Sequence, residues 1–285
     1  MMMREAIFLI RTADRKGLLA RITGFFYERQ LNVLECRQYS DMIDNTYFMR
    51  VAVELDEGTT KRELEKEFSG LAKTLELEYS VGYNDDERNV AVLVTRESHC
   101  LYDLLMHSEE GTLGGKVVLV VGNHPELETV AARFNKPYFC LPVEKGKERE
   151  QEQQVLQLLK RHRIDLVVLA RYMRILSPEF IAEYPDRIIN IHHAFLPAFQ
   201  GGNPYRRAWE RGVKMIGATA HYATGDLDEG PIIEQDVERI THEDDPDDLR
   251  DLGRDIERRV LTRAVRCHLE RRIIISGRRT VVFGK

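Results

Sequence analysis

The spacing of hydrophobic positions changes several times within the first 82 residues, and each change predicts a new strand or helix. Short apolar runs typical of strands alternate with stripes of apolar residues at helical spacing. In chain order the predicted elements are strand 6–12, helix 18–26, strands 32–39 and 47–55, helix 64–75 and strand 76–81. The resulting order, βαββαβ, is the ferredoxin-like arrangement.

The pattern breaks at residues 83–88, where acidic residues replace the apolar positions. Such a stretch is typical of a solvated linker, so we predict one domain at 1–82 and a second at 89–285. In the second domain, short apolar runs alternate with helical stripes, and the run that ends at Ala170 is apolar throughout. Continuous apolar strands indicate a sheet covered by helices on both faces. We therefore predict an open, Rossmann-like α/β domain with a mostly parallel sheet.

Composition narrows the class of protein. With 43% hydrophobic and 31% charged residues, the chain has enough apolar material for a globular core. Lys and Arg total 42 against 47 for Asp and Glu, and the net charge of −5 predicts neither a nucleic-acid nor a membrane partner. The apolar run at 6–10 is too short for a signal peptide, and the four cysteines form no CxxC pair. We expect a cytoplasmic protein with reduced thiols.

The first candidate for chemistry lies where a predicted strand, residues 187–191, runs into two histidines. Alternation along the extended chain puts Asn190 and His192 on one side and His193 on the other. A carboxamide and an imidazole at the carboxyl end of a strand can donate hydrogen bonds to a developing oxyanion. A structural role also fits, with Asn190 closing a turn and His192 packed as an ordinary histidine.

A second candidate follows the predicted strand 216–222. Asp226 in the next loop can cap a turn, whereas Asp228 has no comparable local use. If Asp228 meets His192, the pair can transfer protons at neutral pH. A surface position for either carboxylate also fits the sequence.

These motifs carry a family resemblance. Residues 189–240 resemble the catalytic core of the formyltetrahydrofolate-dependent formyltransferase fold and, within that group, the formyltetrahydrofolate deformylase family. Residues 1–82, with Asp14 to Leu18 at their first turn, resemble the ACT domain that this family carries. The similarity covers essentially the whole chain. It implies an α/β protein in which an ACT domain precedes a formyltransferase-fold domain.

The resemblance also implies roles for individual residues. The Asn-x-His pattern falls on Asn190 and His192, and the catalytic aspartate, seven residues after His221, falls on Asp228. His221 is expected to order the loop that precedes Asp228. Residues expected to flank the folate pterin are Arg171, Met173, Arg174, Ile175, Leu176, Ala223, Thr224, Gly225, Asp226 and Leu227.

The implied activity is hydrolysis of 10-formyltetrahydrofolate to tetrahydrofolate and formate, which feeds one-carbon and purine metabolism. Folate is then the substrate, and neither a cofactor nor a metal is expected. The ACT resemblance further implies a homo-oligomer with an amino-acid effector near Asp14, Gly17 and Leu18.

Two alternatives remain open: a formyltransferase with an unrecognised acceptor, and a folate or amino-acid sensor without turnover. Residues 95–100, which follow the first predicted strand of the second domain, contain no glycine-rich loop that would hold an acceptor phosphate. This favours water as the acceptor. The sequence also lacks the HExxH and GxSxG motifs. The acidic stretch 243–248 is better explained as a helix start, with Asp245 as N-cap and Pro246 as the first helical residue.

Overall fold

The computed structural model describes residues 3–56, 58–197 and 204–284, which form two compact units. The first unit comprises the chain up to Asp86 together with Arg271–Ser276 and the residues from Thr280 onward. The second comprises Glu87–Glu270 and Gly277–Arg279. The main division therefore lies inside the predicted linker, while the C-terminal segment is distributed differently from the prediction.

The first unit is built on a four-stranded antiparallel sheet. Its elements are β1 (Glu5–Ala13), α1 (Leu18–Glu28), β2 (Val33–Asp41), β3 (Thr46–Glu54), α2 (Lys61–Leu75) and β4 (Glu78–Tyr83). The strand order is β2-β3-β1-β4. Phe8 from the central strand contacts Phe26 and Phe68 from the two helices, with 4.5 Å between the ring centroids of Phe8 and Phe68. The core therefore lies between the sheet and its helices.

The second unit is an α/β fold around a seven-stranded sheet. Its elements are β5 (Asn89–Val94), α3 (His99–Glu109), β6 (Lys116–Gly122), a short 3-10 turn (Pro125–Leu127), α4 (Glu128–Arg133), β7 (Tyr138–Cys140), α5 (Glu148–Arg161), β8 (Leu166–Ala170), α6 (Pro178–Glu183), β9 (Ile188–His192), α7 (Pro204–Arg211), β10 (Met215–Tyr222), β11 (Ile232–Arg239) and α8 (Pro246–Leu269). The strand order is β11-β10-β9-β8-β5-β6-β7. Strands β5 to β9 pair in parallel, and β10 pairs antiparallel with both of its neighbours. The predicted mostly parallel sheet is confirmed.

The order of the parallel strands positions the site. Chain progression runs outward from β5 in both directions, through β6 and β7 on one side and through β8 and β9 on the other. Open α/β sheets bind ligands beyond the carboxyl ends of strands next to such a reversal. Both β8 and β9 end there, and the antiparallel β10 brings its own end and the following loop alongside them.

The long helix α8 begins as the sequence predicts. The Asp245 carboxylate accepts hydrogen bonds from the backbone N–H groups of Asp247 and Asp248, at 2.7 and 3.0 Å, and Pro246 is the first helical residue. The helix-start interpretation of this acidic stretch is confirmed. Within the described ranges, no helix combines the length and the apolar character that crossing a membrane requires.

The C-terminal segment departs from the predicted domain division. It contains two short strands, β12 (Ile273–Ser276) and β13 (Arg279–Val282). Ile274 and Phe283 form a small buried cluster with Phe48 of β3, and Arg50 Nε donates a hydrogen bond to the Arg271 carbonyl at 2.9 Å. The prediction assigned this whole segment to the second domain. Its apolar side chains are instead buried in the first unit, a long-range pairing that local spacing does not encode.

Candidate functional site

A cavity of about 450 Å³ lies at the carboxyl ends of β8 and β9 in the second unit. It is lined by residues after β8, by the end of β9 and by the loop after β10. The predicted site residues that line it are Arg171, Met173, Arg174, Ile175, Leu176, Asn190, His192, His221, Ala223, Thr224, Gly225, Asp226, Leu227 and Asp228. The structure therefore brings together segments that are distant in the sequence.

The predicted effector residues belong to the other unit, where Leu18 is buried and Gly17 is exposed.

The segment after β8 forms one wall of the cavity. The Met173 backbone N–H donates to Thr95 Oγ1 at 3.0 Å, and the buried Tyr172 hydroxyl contacts Gln151 Nε2 at 3.1 Å. Ser177 ends the segment and caps α6, because its hydroxyl accepts a hydrogen bond from the Phe180 N–H at 3.2 Å. These contacts fix the wall at both ends while Met173 remains exposed at the cavity rim.

Antiparallel pairing of β9 with β10 determines which side chains meet. Asn190 lies opposite His221, and His192 lies opposite Thr219. The Asn190 Nδ2 and His221 Nε2 atoms are 3.2 Å apart, and His221 Nδ1 is 3.0 Å from the Tyr222 carbonyl oxygen. A carbonyl only accepts, so the proton of a neutral His221 lies on Nδ1, and Nε2 accepts from the Asn190 amide. The register of the two strands thus orients the carboxamide.

The loop after β10 places Asp228 next to His192 and His221. Asp228 adopts a left-handed backbone conformation with φ 57°, and its Oδ2 lies 3.3 Å from His192 Nδ1. Its Oδ1 lies 3.6 Å from His221 Nε2. The hydrogen bond from His192 and, after it, the nearby His221 ring hold the pKa of the Asp228 carboxyl well below its usual range. The carboxylate is therefore ionised at neutral pH and lies between the two imidazoles.

The other nitrogen of His192 is available for chemistry. His192 is 9% exposed, and its Nε2 is buried without a hydrogen-bond partner among the described residues. With Nδ1 directed to a carboxylate, the neutral ring carries its proton there, and Nε2 offers a lone pair. This arrangement provides a general base at the end of the cavity.

His193 differs from its predicted position. The prediction extended strand alternation to it and put it on the side opposite His192, but β9 ends at His192 and both rings line the cavity. The two imidazoles stack with 5.0 Å between centroids and 16° between planes. Burial, followed by the charge of Arg171, lowers the pKa of His193 to about 4. His193 is therefore neutral at pH 7.

The sequence patterns missed a buried charged cluster beside the cavity. Glu257 on α8 is 1% exposed and accepts hydrogen bonds from His99 Nε2 at 2.9 Å and from the Tyr205 hydroxyl at 2.6 Å. Arg171 Nε lies 3.5 Å from the same carboxylate. Burial raises the pKa of Glu257, but the His99 hydrogen bond and the Arg171 charge bring it below its ordinary value. Glu257 is one of many charged residues of alternating sign along the same helix, and no sequence pattern distinguishes this buried carboxylate from its exposed neighbours.

Three side chains of the same cluster are of types that can bind a metal ion. His99, Cys100 and Glu257 each place one ligand atom within 4.8 Å of the others. Both carboxylate oxygens of Glu257 already accept hydrogen bonds, and burial raises the pKa of the Cys100 thiol well above its ordinary value. The group therefore fits a protonated, hydrogen-bonded interior better than a metal centre.

Comparisons with known proteins identify relatives along the whole chain. A family model described as formyl transferase matches residues 88–265. The formyltetrahydrofolate deformylase of Synechocystis sp. is 47% identical over 280 residues, which are 98% of each chain. The crystal structure of a formyltetrahydrofolate deformylase from Pseudomonas syringae pv. tomato is 37% identical, with a TM-score of 0.95 over 99% of this chain and 95% of that one. The structure of glycinamide ribonucleotide transformylase 1 from Symbiobacterium toebii is 32% identical, with a TM-score of 0.66 over 70% of this chain and 95% of that one.

Proposed function

Because the chain belongs to the formyltetrahydrofolate deformylase family, we propose that Asn190, His192 and Asp228 carry out its reaction. The reaction is the hydrolysis of 10-formyltetrahydrofolate to tetrahydrofolate and formate, and the chain is a hydrolase. The observation that carries the assignment of residues is the Asp228 carboxylate, within 3.3 Å of His192 and 3.6 Å of His221 at the end of a cavity.

His192 acts as the general base. Its Nδ1–H is directed to the ionised Asp228, so the buried Nε2 accepts a proton from a water molecule as that water attacks the formyl carbon. The nearby carboxylate stabilises the imidazolium that forms. Since Asp228 is already ionised at neutral pH, the pair needs no preceding deprotonation step.

Asn190 stabilises the tetrahedral intermediate. One N–H of its amide is used by His221 at 3.2 Å, which leaves the second N–H for the oxyanion. The His192 imidazolium adds positive charge on the same side. Collapse of the intermediate breaks the bond between the formyl carbon and N10, and the proton on His192 passes to that nitrogen. No resident metal or cofactor takes part in this proposal.

The pterin lies between the wall after β8 and the loop after β10. Both segments line the cavity with residues 171–176 and 223–227, and backbone donors and acceptors suit a fused heterocycle. Exposed apolar side chains at the rim, Met173, Ile175 and Leu227, extend the contact surface for the rest of the folate.

One assay separates this function from its alternatives. The protein is incubated with 10-formyltetrahydrofolate alone, and formate and tetrahydrofolate are followed together. Equal release of both supports hydrolysis. Release that requires an added acceptor indicates a formyltransferase, and folate binding without either product indicates a sensor. The latter two outcomes contradict the proposed function.

We also propose that the first unit is a ferredoxin-like ACT domain in a cytoplasmic homo-oligomer, with an amino-acid effector at the start of α1. Gly17 begins this helix with φ 88° and offers no side chain to cap it, so backbone N–H groups near Asp14 and Leu18 suit a carboxylate. The exposed apolar residues Met42 and Ile43 of the same unit support contact with a second copy.

The effector proposal is tested by screening amino acids for a change in turnover, with Asp14→Ala as the test variant and the exposed Glu28→Ala as its control. Only Asp14→Ala should abolish a response. A response equal in both variants, or none in the wild-type enzyme, contradicts the proposed site. Sedimentation as a monomer would contradict the oligomer. Deleting the first unit is unsuitable, because Ile274 and Phe283 are buried in it.

A further inference from the structure

Arg171 has a backbone conformation that its side chain must compensate. The residue follows β8 directly and has φ 60°, in the left-handed region that favours glycine. Such a conformation costs about 1–3 kcal/mol in a residue with a side chain and persists where surrounding contacts stabilise it. The side chain of Arg171 is only 15% exposed and reaches the buried Glu257. The contacts of the side chain thus explain why arginine, and not glycine, occupies this turn.

Glu257 fixes the position of the guanidinium. Its carboxylate accepts hydrogen bonds from His99 and Tyr205, at 2.9 and 2.6 Å, and these hold it in place independently of Arg171. Arg171 lines the cavity and Glu257 does not, so Arg171 is the member of the ion pair that borders the cavity, although its Nε and Nη1 atoms are buried. The ion pair between Arg171 Nε and this anchored carboxylate, at 3.5 Å, restricts the rotamers of Arg171.

The charge of Arg171 acts on the imidazoles at the end of the cavity. Arg171 lines the same cavity as His192 and His193, and its charge contributes to the low pKa of His193. An attacking group must approach the formyl carbon next to His192 Nε2. Arg171 borders the same cavity, so its positive charge lies close to that approach.

We propose that Arg171, positioned by Glu257, determines specificity for water by excluding amine acceptors, an inference that rests on the proposed hydrolysis. Amines are largely protonated at neutral pH, and a fixed guanidinium repels an ammonium ion but not a water molecule. The side chain also fills space that a bulkier nucleophile needs. The transformylase relative shares the fold, so the choice of acceptor depends on side chains such as this one.

The step that Arg171 suppresses is formyl transfer. An uncharged amine nitrogen attacks the formyl carbon, and the bond from that carbon to N10 breaks. The proton that the amine loses passes through His192 to N10. The products are an N-formyl amine and tetrahydrofolate in place of formate and tetrahydrofolate.

The experiment measures how the formyl group divides between water and glycinamide as an added amine. Arg171→Gly relieves the left-handed backbone and opens the acceptor side. Its matched control is Arg163→Gly, which changes an exposed arginine with a similar φ of 51° outside the cavity. At saturating folate, the ratio of formylglycinamide to formate should rise by about tenfold or more in Arg171→Gly and remain at the wild-type value in Arg163→Gly.

This ratio does not depend on the fraction of active enzyme, so a merely structural role of Arg171 would not change it. A ratio in Arg171→Gly within about twofold of wild type would overturn the inference. If that variant fails to fold, the double variant Arg171→Gly with Glu257→Gln removes both buried charges and the side-chain volume together and is expected to show the same rise. Absence of a rise there also overturns the inference. Lack of formate release by the wild-type enzyme would instead contradict the proposed function.

Discussion

The Asp228 carboxylate lies close to two imidazoles. A substitution that removes its charge therefore tests its role in the proposed reaction. We expect Asp228→Asn to lower kcat by about two to four orders of magnitude, the range for general acid–base groups. Folate binding should largely survive, because the residues that line most of the cavity are unchanged. Steady-state kinetics and folate titration measure the two effects.

A matched control is Asp186→Asn. Asp186 is exposed, does not line the cavity, and has the same left-handed backbone, with φ 56° against 57° for Asp228. Asparagine tolerates this conformation, so the control isolates the carboxylate from the backbone. Near-normal formate release by Asp228→Asn would remove Asp228 from the mechanism, and so would an equal loss in both variants.

His193 makes the stability of the protein depend on pH. Its pKa is about 4 in the folded state against an ordinary value of 6.5. As the pH falls through this window, the unfolded chain binds a proton that the folded protein does not, so the free energy of unfolding decreases. From pH 7 to about pH 4.5, we expect this decrease to be about 1–2 kcal/mol larger in wild type than in His193→Gln.

Urea unfolding at the two pH values measures this difference. The exposed His242→Gln serves as control and should retain the wild-type pH dependence. If His193→Gln loses as much stability as wild type over the same range, then His193 is not the partly buried, neutral group that this prediction requires.

The sequence could predict that Asn190, His192 and Asp228 meet at one end of the cavity, but not which residues support them. Asn190 and His192 lie two residues apart at the end of a strand, and Asp228 belongs to a long motif, so local pattern and family resemblance both indicate them. Glu257 and His99 contact each other through packing of α8 against α3. Nothing in the spacing of either residue encodes that contact.

At the scale of elements, the turn between β10 and β11 determines the position of Asp228. The Tyr222 N–H donates to the Pro231 carbonyl at 3.0 Å, and a Cβ added to Gly230 would lie 1.7 Å from the Tyr222 carbonyl oxygen. We expect Gly230→Ala to force the two strands apart, at a cost of about 1–3 kcal/mol. It should also lower kcat/KM by about tenfold or more, because Asp228 moves away from both histidines.

Denaturant unfolding and steady-state kinetics test this expectation together. Gly70→Ala is the control, since Gly70 lies within α2 and has open space around its Cα. There alanine should stabilise the protein by about 0.5–1 kcal/mol. Wild-type kinetics and stability in Gly230→Ala would show that the close approach of the two backbones does not constrain the site.

The periodicity of apolar residues predicts helices and strands correctly where one face of the segment is buried. The strand predicted at 6–12 is β1, Glu5–Ala13, and the helix predicted from Asp245 and Pro246 begins there. The misplaced residue, His193, lies one position beyond a strand end. Alternation applies only while the chain is extended, so the rule fails at the first residue after the strand.

At the scale of the whole molecule, the proposed chemistry operates without a resident metal. Among the described residues, the three-ligand group of His99, Cys100 and Glu257 is engaged in hydrogen bonds or protonated. We expect dialysis against EDTA to leave kcat/KM within about twofold of the untreated enzyme. Reversible loss of activity, restored by a single metal ion, would contradict this expectation.

The burial of Ile274 and Phe283 against Phe48 has a consequence for biosynthesis. Residues 271–285 leave the ribosome only after the whole intervening unit has been synthesised. The first unit can form its sheet early, yet Phe48 stays uncovered until Ile274 and Phe283 have been synthesised. A nascent chain that lacks these residues therefore exposes an apolar surface that is buried in the folded protein, a feature that chaperones and proteases recognise.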